Sequence, residues 1–155
     1  MKPVFCKNEY MRTTIWSDVE TIVQSVHVEF GSKAELFQPI LVRMDAVDRH
    51  EDGPEFDATK SAGVYVFIHE EYGCLKVGKS NSNASKRALE HLRDDTHSKD
   101  DAIHMAQLRQ SDKTYMLVFA LQEPECVHWV LALEYYLEMT LRKTRSLRIP
   151  TIRNG

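Results

Sequence analysis

Four side chains within the stretch 62–91 have the types and spacing to act on one anion: Tyr65, Lys76, Arg87 and His91. Arg87 and His91 are four apart in Ala84 to Arg93, a segment with helical patterning, so they lie one turn apart on the same surface. Tyr65 stands in the apolar run Gly63 to Ile68, where strand alternation puts it on the face of Phe67 and turns Val64, Val66 and Ile68 to the other face. Lys76 lies in the second run, Cys74 to Val77. A phenol, an ammonium, a guanidinium and an imidazole that can face one side make a candidate phosphate site.

The elements that must position them are readable. The polar segment His69-Glu70-Glu71-Tyr72-Gly73 between the two runs has hairpin composition. Gly78-Lys79-Ser80-Asn81-Ser82-Asn83 then has turn and cap chemistry leading into the helix, with Ala84, Ala88 and Leu92 as the stripe that packs on the sheet. Tyr115 to Leu121 predicts a buried strand, ended by Gln122-Glu123-Pro124. Glu125 to Lys143 predicts the longest helix, with acids first and Arg142 and Lys143 last, as the helix dipole prefers. Val127, Val130, Leu131, Leu137 and Leu141 form its apolar stripe, and Glu134 falls in the middle. An unpaired carboxylate there is costly to bury. Glu134 therefore faces a water-filled cleft, or binds a cation or an Arg. Glu138 lies one turn further on, nearer the stripe's edge.

These residues resemble the GIY-YIG endonuclease superfamily, whose signature is a Gly-aromatic hairpin followed by a helix bearing an Arg. Gly63-Val64-Tyr65 is similar to the first half and Lys76-Val77-Gly78 to the second, with Lys76 where Tyr is usual. The resemblance covers Ser61 to Thr144. It implies an α+β fold of the α/β kind, a small, mostly antiparallel three-stranded sheet flanked by helices, and metal-dependent hydrolysis of DNA phosphodiester bonds. A single Glu on a late helix, in a context similar to Leu133-Glu134-Tyr135-Tyr136-Leu137, holds the divalent metal in that superfamily. The resemblance thus assigns Glu134 to one Mg²⁺ or Mn²⁺, with Glu138 as runner-up.

Phosphodiester hydrolysis needs a water nucleophile, a group to take its proton, positive charge on the phosphorane and help for the departing oxygen. Tyr65 would orient the water or act as base. A phenol with a pKa near ~10 is a poor base at neutral pH, so a nearby Lys76 favouring the phenolate would give that Lys a role. Arg87 would hold the scissile phosphate as a fork of donors. His91 would contact that phosphate or relay a proton. Gly78, Lys79, Ser80, Asn81 and Lys86 would line the substrate side. Taken singly, each residue also has a plain reading: a strand aromatic, an edge-strand charge, surface helix residues, an ion-pair partner, turn glycines. His27, His50, His69, His97, His104 and His128 have no ligand spacing, and Asn154 lies too close to the end for a role to be carried over.

The rest of the chain bounds the reading. A chain of 155 residues, 43% hydrophobic and 28% charged, is expected to form one compact globular domain. Within it, 1–60 are an N-terminal extension packing on or extending the core, and 61–155 the GIY-YIG-like catalytic domain. Trp16 to Phe30 predicts an amphipathic helix capped by Ser17 or Asp18, with Trp16, Val19, Ile22, Val23, Val26 and Phe30 at helical spacing. Leu36 to Met44 has strand content, confined by Pro39 to an edge or a strand start. Arg49 to Lys60, with Gly53-Pro54, predicts an exposed loop. Asp94 to Asp101 predicts a loop before a helix, Ala102 to Arg109.

Net charge is −3, which argues against a nonspecific nucleic-acid binder, although distribution matters more than the total. Asp45, Asp48, Glu51, Asp52, Glu55 and Asp57 cluster ahead of the motif, whereas Arg142, Lys143, Arg145, Arg148 and Arg153 end the chain. A basic end and a basic motif helix can form one positive face. No apolar run approaches the ~20 residues of a membrane span. With no signal-peptide pattern at the N-terminus, a cytoplasmic protein is expected. Cys6, Cys74 and Cys126 match neither a zinc pattern nor a disulfide framework. DNA is the expected partner, RNA is left open, and cutting both strands would need a homodimer or sequential nicks. A catalytically inactive nucleic-acid-binding or protein-interaction module is the alternative.

Overall fold

The computed structural model of the chain describes residues 4–5, 13–45, 54–93 and 111–144. The loop 94–101, the helix 102–109, residues 46–53 of the acidic stretch, Cys6, Arg145, Arg148, Arg153 and Asn154 lie outside the described residues, as do the side chains of Arg142 and Lys143.

In chain order the elements are β1 (Val4–Phe5), α1 (Thr13–Phe30), β2 (Phe37–Arg43), β3 (Gly63–His69), β4 (Gly73–Ser80), α2 (Ala84–Arg93), β5 (Thr114–Leu121) and α3 (His128–Thr144). They form an α+β fold around one sheet in the order β1-β2-β5-β3-β4. β2, β5, β3 and β4 are antiparallel to their neighbours, and the two-residue β1 runs parallel to β2. The sheet is thus larger than the three strands expected, because β2 pairs along its whole length with β5, from Phe37 opposite Leu121 to Arg43 opposite Tyr115. Pro39 is accommodated there because it precedes Ile40 and Leu41, the only described positions at which β1 meets β2.

β3 and β5 are the central strands, and every residue of each is buried. This accounts for the unbroken apolar run of Tyr115 to Leu121, since a strand covered on both faces needs no polar alternation. On one face, Val64, Val66, Ile68, Leu117 and Phe119 pack with Val19, Ile22 and Val26 of α1 and Val130, Leu133, Leu137 and Leu141 of α3. On the other, Tyr65, Phe67, Met116 and Val118 pack with Ala84, Ala88 and Leu92 of α2. The small Ala84 and Ala88 let α2 lie close to the sheet.

Several boundaries differ from expectation for identifiable reasons. α1 starts at Thr13, so Ser17 and Asp18 lie inside the helix rather than capping it, and Ile15 rather than Trp16 enters the core. In α3 the buried positions are Val130, Leu133, Leu137 and Leu141, which rotates Leu131 out to 59% exposure, in line with the exposed Tyr135 and Met139. Part of the expected loop before the motif is helical: one turn at Pro54–Asp57 runs into a 3-10 turn at Ala58–Lys60. Thr59 Oγ1 donates to the Phe56 carbonyl there at 2.6 Å.

The β3–β4 hairpin closes on His69, whose Nδ1 accepts from the backbone N–H of Glu71 at 3.0 Å and of Tyr72 at 3.4 Å. The ring stacks on Tyr72 with centroids 4.5 Å apart. Burial pushes this imidazole below its ordinary value, which suits a nitrogen that must keep its lone pair. Gly73, at φ 78, completes the turn in a conformation that favours glycine. Among the described residues, no helix is long and apolar enough to cross a membrane.

Candidate active site

Tyr65 is the centre of the site and is 1% exposed. It lies opposite Gly78 on β4 and Val118 on β5. A side-chain carbon at Gly78 would overlap the phenol, meeting its Cε2 at 2.7 Å. The glycine of the second half-motif is therefore a platform: its bare backbone lets the Tyr65 ring lie across β4, the edge strand. Gly78→Ala is expected to cost about 1–3 kcal/mol, as overpacking does, read as a lower urea midpoint, and to displace the ring from that position. Gly63 has a different neighbour, since a Cβ there would overlap the Phe119 carbonyl oxygen of β5.

Around the phenol the two helices contribute opposite charges. Burial raises the Tyr65 phenol well above its ordinary value, Arg87 of α2 pulls it down, and Glu134 of α3 and Glu90 of α2 push it up. The groups acting on one hydroxyl thus come from helices on opposite faces of the sheet. His91, also on α2, sets its ring 6.0 Å from that of Tyr65. His91 is thus beside the Tyr65 ring, while Arg87 and Glu134 act on its hydroxyl through their charges.

Lys76 is not part of that set of charges. It lies on β4 opposite Phe67, half-buried on the face of Tyr65, but the cation acting on the phenol is Arg87. Lys76 is not among the groups that lower the Tyr65 phenol, and burial, the largest effect, holds it above its ordinary value. Lys79 belongs to the other face. Paired with Val64, it acts on the Glu134 carboxyl and lowers its pKa, while burial, the larger effect, and Glu138 raise it.

The remaining substrate-side residues divide. Gly78, Lys79 and Ser80 continue β4 rather than forming a turn, and the turn is confined to 81–83. Ser80 Oγ accepts from the backbone N–H of Ser82 at 3.1 Å and of Asn83 at 2.9 Å, so its hydroxyl builds that turn. Asn83 Oδ1 accepts from the Lys86 N–H at 3.0 Å and caps α2. Asn81 and Lys86 are exposed beside it. Glu90, which sequence reasoning passed over, is part of the site: it pairs with Arg87 and acts on Tyr65. Its only sequence signal was its place three residues after Arg87 on a helix.

The donor set limits the kind of cation that fits. Among the described residues, no group of three or more His, Cys, Asp or Glu side chains converges. Glu134 and Glu138 offer carboxylate oxygens one turn apart, with Lys79 as counter-charge. A hard ion that keeps most of its water and takes one or two carboxylates suits such a pair, whereas an ion needing a complete protein cage does not. Compared with protein-family models, with curated proteins and with solved structures, the chain matches none of them.

Proposed function

We propose that the chain is a metal-dependent endonuclease of the GIY-YIG type that hydrolyses DNA phosphodiester bonds. The observation that carries this reading is the shared field at Tyr65, where Arg87 from one face of the sheet and Glu134 from the other act on one buried phenol. A hairpin, a helix bearing Arg, a further strand and a late helix bearing Glu also follow in the order the half-motifs imply.

In this reading Arg87 holds the scissile phosphate and balances the charge that builds on it. Tyr65, protonated at neutral pH, orients the attacking water through its hydroxyl instead of taking the proton. His91, close to that ring, is the group suited to receive it. Glu134, with Glu138 beside it, would hold Mg²⁺ or Mn²⁺, which when bound supplies positive charge to the departing oxygen. One such site cuts one strand.

A binding module without catalysis is the second reading, favoured by Lys76 standing where Tyr is usual in the second half-motif. A plasmid-nicking assay separates the two. Supercoiled plasmid is expected to relax with Mg²⁺ or Mn²⁺ and to stay intact with EDTA. A folded protein that binds DNA but leaves plasmid, single strands and RNA uncut in either metal establishes the binding module instead.

A further inference from the structure

Arg87 has a partner within its own helix. Its Nη1 donates to Glu90 Oε2 at 3.0 Å across one turn of α2, with the two side chains 52% and 35% exposed. Ala84, Ala88 and Leu92 fix the buried side of this helix. At 100° per residue, His91, Arg87 and Glu90 then follow in that order away from the buried side. Glu90 is also within electrostatic reach of the Tyr65 phenol. Its carboxylate thus stands beside Arg87, the group that would hold a phosphate, and adds negative charge near the phenol.

A carboxylate and a phosphate offer a guanidinium the same thing, acceptor oxygens for its fork of donors. We infer that Glu90 is an internal competitor for the phosphate site, a positioning residue that holds Arg87 until a phosphate anion displaces it. The inference rests on the reading of Arg87 as the phosphate-binding group. As a contributor to the fold, an exposed pair three residues apart matters little. As a neighbour of an incoming phosphate, the same carboxylate matters more, because it neutralises the cation and repels the ligand. The Arg87–Glu90 pair is charge-balanced, which restrains capture of stray anions by Arg87. Binding exchanges one anion for another, leaving Glu90 to turn out to solvent.

The test is a double-mutant cycle of Glu90→Gln and Arg87→Gln in the full chain, in EDTA so that nothing is cut. Kd for a short DNA duplex is measured by fluorescence anisotropy. Inorganic pyrophosphate is titrated in parallel against the Arg87 Nε–Hε NMR signal. Glu90→Gln is expected to tighten DNA binding by about fivefold and to have a clearly smaller effect once Arg87 is Gln, because only the direct repulsion then remains. Equal tightening with and without Arg87 would overturn the inference, since only net charge would then matter, and so would unchanged or weaker binding. If DNA does not bind but pyrophosphate moves the Arg87 signal at lower concentration in Glu90→Gln, the competitor stands and the nucleic-acid reading fails. If neither probe reaches Arg87 in any variant, the competitor falls as well.

Discussion

Glu134→Gln is expected to lower metal-dependent nicking by about a thousandfold or more while the folded state becomes no less stable. The second half follows from the carboxyl's environment. Burial raises it above its ordinary value of 4.5, Lys79 lowers it, and Glu138 raises it again, with a net upward shift. A carboxyl raised in the folded state contributes stability that is fully present below its unfolded value and is lost as pH rises through the folded value. At neutral pH the ionised Glu134 is therefore a small liability to the fold, and the neutral Gln relieves it. Were Glu134 held mainly as the ion-pair partner of Lys79, the same substitution would destabilise. Urea midpoints at pH 5 and pH 7, taken beside the nicking rate, decide the matter. A lower midpoint at pH 7 with undiminished cleavage would remove Glu134 from the chemistry.

Tyr65→Phe is expected to slow nicking by about a hundredfold with little change in stability, because the ring keeps its packing against Gly78 and α2. Truncation to Ala removes that packing as well and is expected to cost about 3–5 kcal/mol. The pH behaviour separates the roles of the hydroxyl. Since burial raises the phenol in the folded state, tyrosinate makes no contribution to the rate between pH 7 and 9. Any rise with pH in that range belongs to another group. The stability linked to Tyr65 is complete below the unfolded value near ~10 and declines as pH rises beyond it. Tyr65→Phe should flatten that alkaline decline in an unfolding series. Full activity in the Phe variant would leave Tyr65 as a core aromatic alone.

The hairpin, the stripe Ala84-Ala88-Leu92 and the buried strand Tyr115 to Leu121 were legible because periodicity and turn residues are local signals. Pairing is not local. Pro39 marked β2 as a strand next to an unpaired margin, but nothing in its residues says that it runs antiparallel beside β5. The register shift between Phe67 and Ile68 is equally hidden. It puts Cys74 and Val77 on one face and Leu75 on the other, which strict alternation from Cys74 would not give. Glu134 stood out as a carboxylate on an apolar stripe, yet one member of that stripe differs, with Leu133 in the role expected of Leu131. Within the site, Tyr65, Arg87, His91 and Glu134 came from spacing and resemblance. The separation of Lys76 from Lys79 by the sheet, and the contact of Arg87 with Glu90, depend on side-chain direction and required the structure.

The charged groups that act on Tyr65 are carried on two helices that never share a layer, one below the sheet and one above. No single supersecondary fragment contains them all. Opening of α2 or of α3 alone would separate the guanidinium from the carboxylate, so the site persists only while both layers are docked. Its occupancy is therefore a reporter of cooperative unfolding: any ligand-dependent signal at Tyr65 should vanish in the same transition that calorimetry records for the whole sheet, and a split or circularly permuted chain should recover it only by rebuilding β4 between its two helices.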